Sequence, residues 1–201
     1  MNSFSPQFQF PIGKLSFFIT PDELTAGWNE HWSGDPFTAH LENFSREFVL
    51  EGMPYSKAFL FVRMVFAWGG PRGNNFKNFR DSVNDAEKRG KYLTSILFNA
   101  YSYSRMGKYR PAIRAFEGLN GIGISFSSKF LRFLCPDHAA ILDSVIRKGL
   151  GYNDNEVDYE EFVNSCARVR GILNCNKWQH PLGRPWQITD VEMAIFMKLK
   201  A

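Results

Sequence analysis

Apolar side chains recur at helical spacing along most of this 201-residue chain, and alternating strand patterns are scarce. Thr20-Pro21-Asp22-Glu23 supplies a cap, a first-turn proline and a capping-box acid. Asp35-Pro36 repeats this start signal, so helices are predicted to begin near 20 and near 35. The second carries apolar residues at spacings of three and four, as a single buried stripe requires. The stripe consists of Phe37, Leu41, Phe44, Phe48 and Val49.

Glycine and proline interrupt this helical pattern. The segment 68–75 holds three glycines and a proline, which a helix interior disfavours, and is predicted to be an exposed loop. Gly90 and Gly107 are predicted helix stops. Further helices are predicted at 56–67, 76–88, 92–105, 109–118, 125–134, 156–172 and 189–199. We expect one compact all-α domain over 1–201, with two helical lobes around a cleft.

Composition disfavours secretion, membrane insertion and a metal site. Residues 1–20 lack a basic start followed by an apolar run, and Arg63 interrupts the longest apolar stretch. Cys135, Cys166 and Cys175 are too few and too widely spaced for a disulfide framework, a zinc ribbon or an iron–sulfur cluster. We expect a cytoplasmic monomer with reduced thiols and with neither metal nor cofactor.

Positive charge is concentrated in the middle of the chain. Residues 1–60 carry 3 Lys and Arg against 7 Asp and Glu, whereas residues 61–132 carry 13 against 4. This distribution indicates either a surface that docks a polyanion or an ordinary solvated helical surface. Charge alone leaves both interpretations open.

Gly121-Ile122-Gly123 joins two predicted helices, and Asp143 follows twenty positions after the second glycine. The glycines let the backbone turn tightly and expose N–H groups at the start of the next helix. Such groups can hold a phosphate oxygen whatever the base sequence. Ile122 is expected to point inward and anchor the turn. Alone the motif is weak, because glycine-rich helix connections are common.

The segment 119–123, the amphipathic helix after it and Ile141-Leu142-Asp143 resemble the signature of the helix-hairpin-helix DNA glycosylases, including the interval between hairpin and aspartate. The resemblance covers about 108–149, and the prokaryotic 8-oxoguanine glycosylase group looks closest. It implies a helix-hairpin-helix glycosylase fold and an enzyme that flips a damaged or modified base out of double-stranded DNA. Gly121 and Gly123 would contact the DNA.

The resemblance makes Asp143 the catalytic carboxylate. Breaking a glycosidic bond builds positive charge on the sugar, and a carboxylate can stabilise that charge or activate the nucleophile. Asp143 is also suited to cap a helix that begins near Ser144, and the two roles are compatible.

Ser125 occupies the position where superfamily members with lyase activity carry their Schiff-base lysine. This departure resembles the monofunctional branches, in which water attacks the sugar. We therefore expect a monofunctional hydrolase, with AP-lyase activity left open. Lys129 lies one turn further on nearly the same helix face and is an alternative nucleophile, a phosphate contact or a solvated charge.

Base recognition is predicted from the 68–75 loop and from aromatic residues. Asn74 and Asn75 resemble residues that fill the gap left by a flipped base, and Arg72 is suited to read the partner base or a phosphate. An ordinary turn has the same composition. Arg132 is a further predicted DNA contact. The predicted base-pocket aromatics, each of which could equally belong to the core, are Trp68, Phe126, Trp178 and Trp186.

Three hypotheses follow from these features. The leading one is a DNA N-glycosylase that excises oxidised guanine in repair, or a hypermodified phage base in defence. The alternative is a non-catalytic helix-hairpin-helix DNA-binding module, for which Asp143→Asn would leave function intact. A helical scaffold or small-molecule enzyme would make both the hairpin interval and the basic middle accidental.

Overall fold

The computed structural model describes residues 9–32, 35–69, 73–83 and 86–201, which form ten helices and one short antiparallel hairpin. The all-α prediction is confirmed. The hairpin pairs β1 (Phe10–Ile12) with β2 (Phe17–Ile19). The helices are α1 (Pro21–Trp32), α2 (Pro36–Leu50), α3 (Tyr55–Trp68), α4 (Gly73–Ser82), α5 (Ala86–Arg105), α6 (Tyr109–Arg114), α7 (Ile124–Leu134), α8 (Ser144–Leu150), α9 (Glu156–Cys175) and α10 (Ile188–Lys200).

The caps predicted for the first two helices are confirmed. At α1, the Thr20 amide donates to a Glu23 carboxylate oxygen at 2.8 Å, and the Glu23 amide donates to the Thr20 hydroxyl at 3.2 Å. At α2, Asp35 accepts a hydrogen bond from the Phe37 amide at 3.0 Å. These side chains satisfy amide groups that have no partner within the helix.

Aromatic side chains from α2, α3 and α7 form the centre of the core. Leu41 and Phe48 of the stripe on α2 are completely buried, whereas Phe37 at its start is 37% exposed. Phe48 stacks on Phe61 of α3, with ring centroids 5.2 Å apart, and Phe61 meets Phe130 of α7 at 6.2 Å. These aromatic contacts pack α7 against α3, and α3 against α2.

Helix α5 continues through Gly90, where the sequence predicts a stop. The helix completely buries Leu93, Leu97 and Ala100, and it packs against α3 and α6. This burial outweighs the roughly 1 kcal/mol that an internal glycine costs. The interruption falls before Ala86 instead, and the predicted 76–88 helix is divided there between α4 and α5.

Helix α4 begins at Gly73, so the connection from α3 is shorter than the predicted 68–75 loop. Phe76 and Phe79 anchor α4 against Phe66 of α3, with ring centroids 5.3 and 5.5 Å away. Asn74 and Asn75 consequently lie in the first turn of a helix.

The β1–β2 hairpin was not predicted, because three-residue strands are too short for alternation to be recognised. Its inward residues Ile12 and Ile19 are buried. The Lys14 amide donates to the Leu150 carbonyl at 2.8 Å, which attaches the hairpin to the end of α8.

The first and last helices of the chain pack side by side. At Gly27 the two backbones approach so closely that a Cβ there would lie 3.0 Å from the Ala194 Cα. Helix α10 also contacts α8 and α9, while α7 contacts α2, α3, α5 and α6. A cleft lies where α10 faces α3 and α7.

Within the described ranges, no helix is long and apolar enough to cross a membrane. All three cysteines are free thiols, with Cys135 and Cys166 buried and Cys175 exposed. Burial raises the pKa of the Cys135 thiol to about 12, which makes it unreactive at neutral pH.

Candidate active site

A cavity of about 460 Å³ lies between α10 on one side and α3 and α7 on the other. Three residues predicted from the sequence, Trp68, Lys129 and Asp143, line this α7–α10 cavity together. The complete lining is Glu30, Asp35, Trp68, Gly69, Lys129, Ile141, Asp143, Glu192, Met193, Phe196, Met197 and Lys200.

Asp143 reaches the cavity as the N-cap of α8. Its Oδ1 accepts hydrogen bonds from the Val145 amide at 2.9 Å and the Ile146 amide at 3.1 Å. Its Oδ2 has no hydrogen bond to any residue that the structure describes. The preceding Leu142 amide donates to the Ser128 hydroxyl of α7 at 3.2 Å. The carboxylate is thus held by one oxygen, and the other remains available for chemistry.

Lys129 enters the same cavity from α7, with only 9% of its surface exposed. Its ammonium lies 4.8 Å from the centroid of the Phe126 ring, within the range of a cation–π contact. Ser125 does not line the cavity, and its carbonyl accepts a hydrogen bond from the Ser128 hydroxyl at 3.1 Å. The structure therefore brings Lys129, rather than Ser125, together with Asp143.

Glu192 is a third ionisable residue of this cavity, and it faces the others from α10. It is 2% exposed, and its Oε2 has no hydrogen-bond partner among the described residues. Burial raises its pKa to about 8, although the positive charges of Arg132 and Lys129 act in the opposite direction; the negative charge of Asp143 adds to the rise. The Glu192 side chain is therefore mostly protonated at neutral pH.

Sequence reasoning missed Glu192. The residue lies in the apolar run 191–195, in which every residue is buried. An acidic side chain inside such a run has to be paired or neutral, and this was the available signal.

Apart from Glu30, Asp35 and Lys200, the rest of the cavity wall is apolar. Trp68 is fixed by a 2.7 Å hydrogen bond from its Nε1 to the Thr38 hydroxyl, and it packs edge to face on Phe133 at 5.0 Å. Met193 and Phe196 add apolar surface from α10. A wall of this kind suits a flat ring with polar edges. No cluster of three or more potential metal ligands occurs in the described parts of the chain.

The glycine turn before α7 has the backbone that its sequence predicts. Gly121 adopts a φ of +81°, a conformation that favours glycine, and Gly123 is the extended N-cap of α7. The amides of Ile124 and Ser125 have no backbone acceptor among the described residues. Ile122 packs against the core as predicted. The turn thus presents unpaired N–H donors at an exposed helix start.

Arg132 is not placed to contact DNA. It is only 4% exposed and forms a 2.8 Å ion pair with Glu42 of α2. Its guanidinium also lies over the Phe133 ring at 4.4 Å. The partner was not apparent from the sequence, because 90 positions separate the two residues. Arg72 and the side chains of Asn74 and Asn75 lie outside the described residues.

The remaining predicted aromatics are not in the α7–α10 cavity. Trp186 is 1% exposed and belongs to the core, where its Nε1 donates to the Trp178 carbonyl at 2.9 Å. Trp178 lines a separate cavity of about 530 Å³ together with His180. Phe126 is buried against Phe66, with ring centroids 4.6 Å apart, and adjoins the cavity through Lys129.

Part of the positive charge in the middle of the chain is paired within the fold. Arg110 and Arg114 of α6 form ion pairs with Glu160 and Glu156 of α9 at 2.7 and 2.6 Å. Both arginines keep substantial exposure, so these pairs add little stability and leave the surface only partly neutralised.

Comparison with known families gives a match along nearly the whole chain. Residues 11–196 match the family described as "Putative 8-oxoguanine DNA glycosylase OGG-like protein". No curated protein and no solved structure matches the chain. The matched region contains the glycine turn at 121–123 and all of the cavity lining except Met197 and Lys200.

Glu192 makes the stability of the protein depend on pH in a predictable direction. Between its ordinary pKa of 4.5 and its folded value of about 8, the unfolded chain releases this proton while the folded protein retains it. Rising pH therefore favours unfolding, by at most about 1.4 kcal/mol per pH unit. Urea titrations at pH 5.5 and pH 8 should show Glu192→Gln gaining stability relative to wild type at the higher pH.

The matched control is Glu47→Gln, which removes an exposed carboxylate. Its stability difference from wild type should be the same at both pH values. An equally constant difference for Glu192→Gln would contradict a protonated Glu192 in the folded protein.

Proposed function

We propose, because the chain belongs to the 8-oxoguanine DNA glycosylase OGG-like family, that it excises oxidised guanine from double-stranded DNA by cleaving the N-glycosidic bond. The observation that carries the proposal is the presence of Asp143, Lys129 and Trp68 on the wall of one cavity. A flipped base enters this cavity and packs against Trp68, while its sugar meets the two charged side chains. The family supports the substrate class, and the cavity supports the choice of reacting groups.

Asp143 stabilises the positive charge that develops on the sugar as the bond to the base breaks. Its position supports this role, since Oδ1 is held by two amides of α8 and Oδ2 has no hydrogen bond within the described chain. A carboxylate held in this way needs no rearrangement during the reaction, which is the condition for efficient electrostatic catalysis.

Lys129 is the nucleophile in this proposal. Ser125 in the hairpin helix favours attack by water, but the location of Lys129 on the cavity wall favours attack by its amine. The Lys129 ammonium would first lose a proton to solvent, and the neutral amine would then displace the base; the resulting adduct on the sugar would rearrange to a Schiff base. Near burial disfavours the alternative role of Lys129 as a phosphate contact, since phosphates lie at the surface of the duplex.

The glycine turn at 121–123 is the proposed docking point for the DNA backbone. The exposed amides at the start of α7 can bind a phosphate, and Lys129 follows six residues after Gly123, a rise of about 9 Å along the helix. One helix therefore connects the backbone contact to the reacting sugar. Sequence-independent docking of this kind is expected of an enzyme that recognises the base itself after flipping.

The carboxylate of Asp143 is tested by Asp143→Asn, since asparagine also caps helices and preserves the fold. In single-turnover assays on a duplex that contains oxidised guanine, we expect base release to fall at least about 100-fold. The exposed Asp137 provides the control, and Asp137→Asn should release the base at the wild-type rate.

Equal rates for Asp143→Asn and wild type would remove Asp143 from the mechanism. Wild-type protein that binds DNA but releases no oxidised, alkylated, deaminated or hypermodified phage base would instead indicate the non-catalytic binding module. Release of a hypermodified base alone would move the protein from repair to phage defence.

Lys129 is tested by borohydride trapping. Reduction during the reaction should join wild-type protein covalently to DNA, and Lys129→Gln should abolish the adduct because it lacks the amine. Lys108→Gln, which changes an exposed lysine before α6, should retain it. An adduct that persists in Lys129→Gln would exclude Lys129 as its site. Base release by wild type without any adduct would indicate attack by water.

A further inference from the structure

We infer that Glu192 is the acid that protonates the departing base, an assignment that rests on the glycosylase function proposed above. Glu192 lines the α7–α10 cavity from α10, whereas Lys129 and Asp143 line it from α7 and the start of α8. A base that enters between these walls has its sugar near Lys129 and Asp143. The wall formed by α10 is then left to contact the base itself.

The unpaired oxygen of Glu192 is the main geometric support for this role. Oε2 is buried, has no hydrogen-bond partner within the described residues and belongs to a residue on a cavity wall. Buried polar atoms without partners are rare in folded proteins, because desolvation is costly. A bound ligand with a hydrogen-bond acceptor would supply the missing partner.

Glu192 does not serve as the structural ion-pair partner of a nearby arginine. Arg132 is the cation with the larger effect on the Glu192 charge, but its ion pair at 2.8 Å is with Glu42 of α2. Glu192 forms no ion pair with a described residue. Its carboxyl group accepts a hydrogen bond from the Ile141 backbone, but this structural contact leaves Oε2 without a partner.

The surroundings of Glu192 keep its side chain neutral until the base departs. Burial has the largest effect, and its pKa rises to about 8. The charged or titratable groups around it come from every neighbouring element. They are Glu30 of α1, Asp35 before α2, Lys129 and Arg132 of α7, Asp143 before α8, Cys166 of α9 and Lys200 of α10.

The proton balance of the reaction closes within the cavity. The bond between C1′ of the sugar and the base nitrogen breaks, and its electron pair remains with the base. The Glu192 carboxyl transfers its proton to a ring nitrogen or carbonyl oxygen of the base, so that a neutral base leaves. The nucleophile forms the new bond to C1′, and the proton that it then loses returns to the Glu192 carboxylate.

This role adds a substrate requirement to the proposed function. The excised base must present an acceptor atom towards α10, and it must be a poor leaving group without protonation. A base that already departs as a stable anion gains little from Glu192.

The experiment compares wild type, Glu192→Gln and Glu192→Asp in single-turnover base release from a duplex that contains oxidised guanine, between pH 6 and pH 9. At pH 7 we expect Glu192→Gln to be about 100-fold slower than wild type. The ratio of the two rates should fall about tenfold for each pH unit above 8, where wild type has lost its proton. Glu192→Asp retains an acid and should recover part of the rate together with the pH dependence.

Glu47→Gln is the control for loss of a carboxylate, and thermal unfolding shows that each variant is folded. A rate ratio independent of pH would overturn the assignment, because a structural defect lowers the rate equally across the range. Equal rates for wild type and Glu192→Gln would overturn it as well, and would leave the glycosylase function standing. Absence of base release by wild type would overturn both proposals.

Discussion

The hydrogen bond from the Leu142 amide to the Ser128 hydroxyl connects the two chain segments on which the candidate site depends. Ser128 is the neighbour of Lys129 on α7, and Leu142 is the neighbour of Asp143 at the start of α8. This one contact of 3.2 Å therefore attaches the segment that carries Asp143 to the helix that carries Lys129. The capping bonds of Asp143 to α8 complete the arrangement, so the carboxylate is positioned by backbone groups on both sides.

The position of Glu192, the third ionisable residue of the cavity, depends on packing between the first and last helices. Close approach of α1 and α10 at Gly27 seats the last helix across the cleft, and Glu192 then faces α7. Because Lys129 and Glu192 are nearly buried, the ionisable side chains of the cavity interact more strongly than they would at a surface. The ion pair with Glu42 gives Arg132, the other cation of α7, a structural partner outside the α7–α10 cavity. Helix α7 thus contributes to the core and to the cavity wall, and in the proposed function it also docks the DNA backbone.

Local sequence signals predicted the helices, but contacts between distant segments decided the site. The caps at Thr20 and Asp35, the buried stripe on α2 and the glycine turn at 121–123 each depend on a few adjacent residues, and all were predicted. Gly90 was predicted wrongly because tertiary packing of α5 outweighs a local preference. The ion pair of Arg132 was out of reach for the same reason, because its partner is supplied by α2. Glu192 left a local signal, an acid within an apolar run, but the cleft that it faces is formed by distant segments.

The most direct test of this account is a crystal structure of Asp143→Asn bound to a duplex that contains oxidised guanine. We predict the base flipped into the α7–α10 cavity, in contact with Trp68, with an acceptor atom within hydrogen-bond distance of Glu192 and with C1′ facing Lys129. A base bound instead beside Trp178 in the separate 530 Å³ cavity would contradict the assignment of the site. A base that stays stacked in the duplex while the glycine turn at 121–123 binds the DNA backbone would contradict this assignment equally.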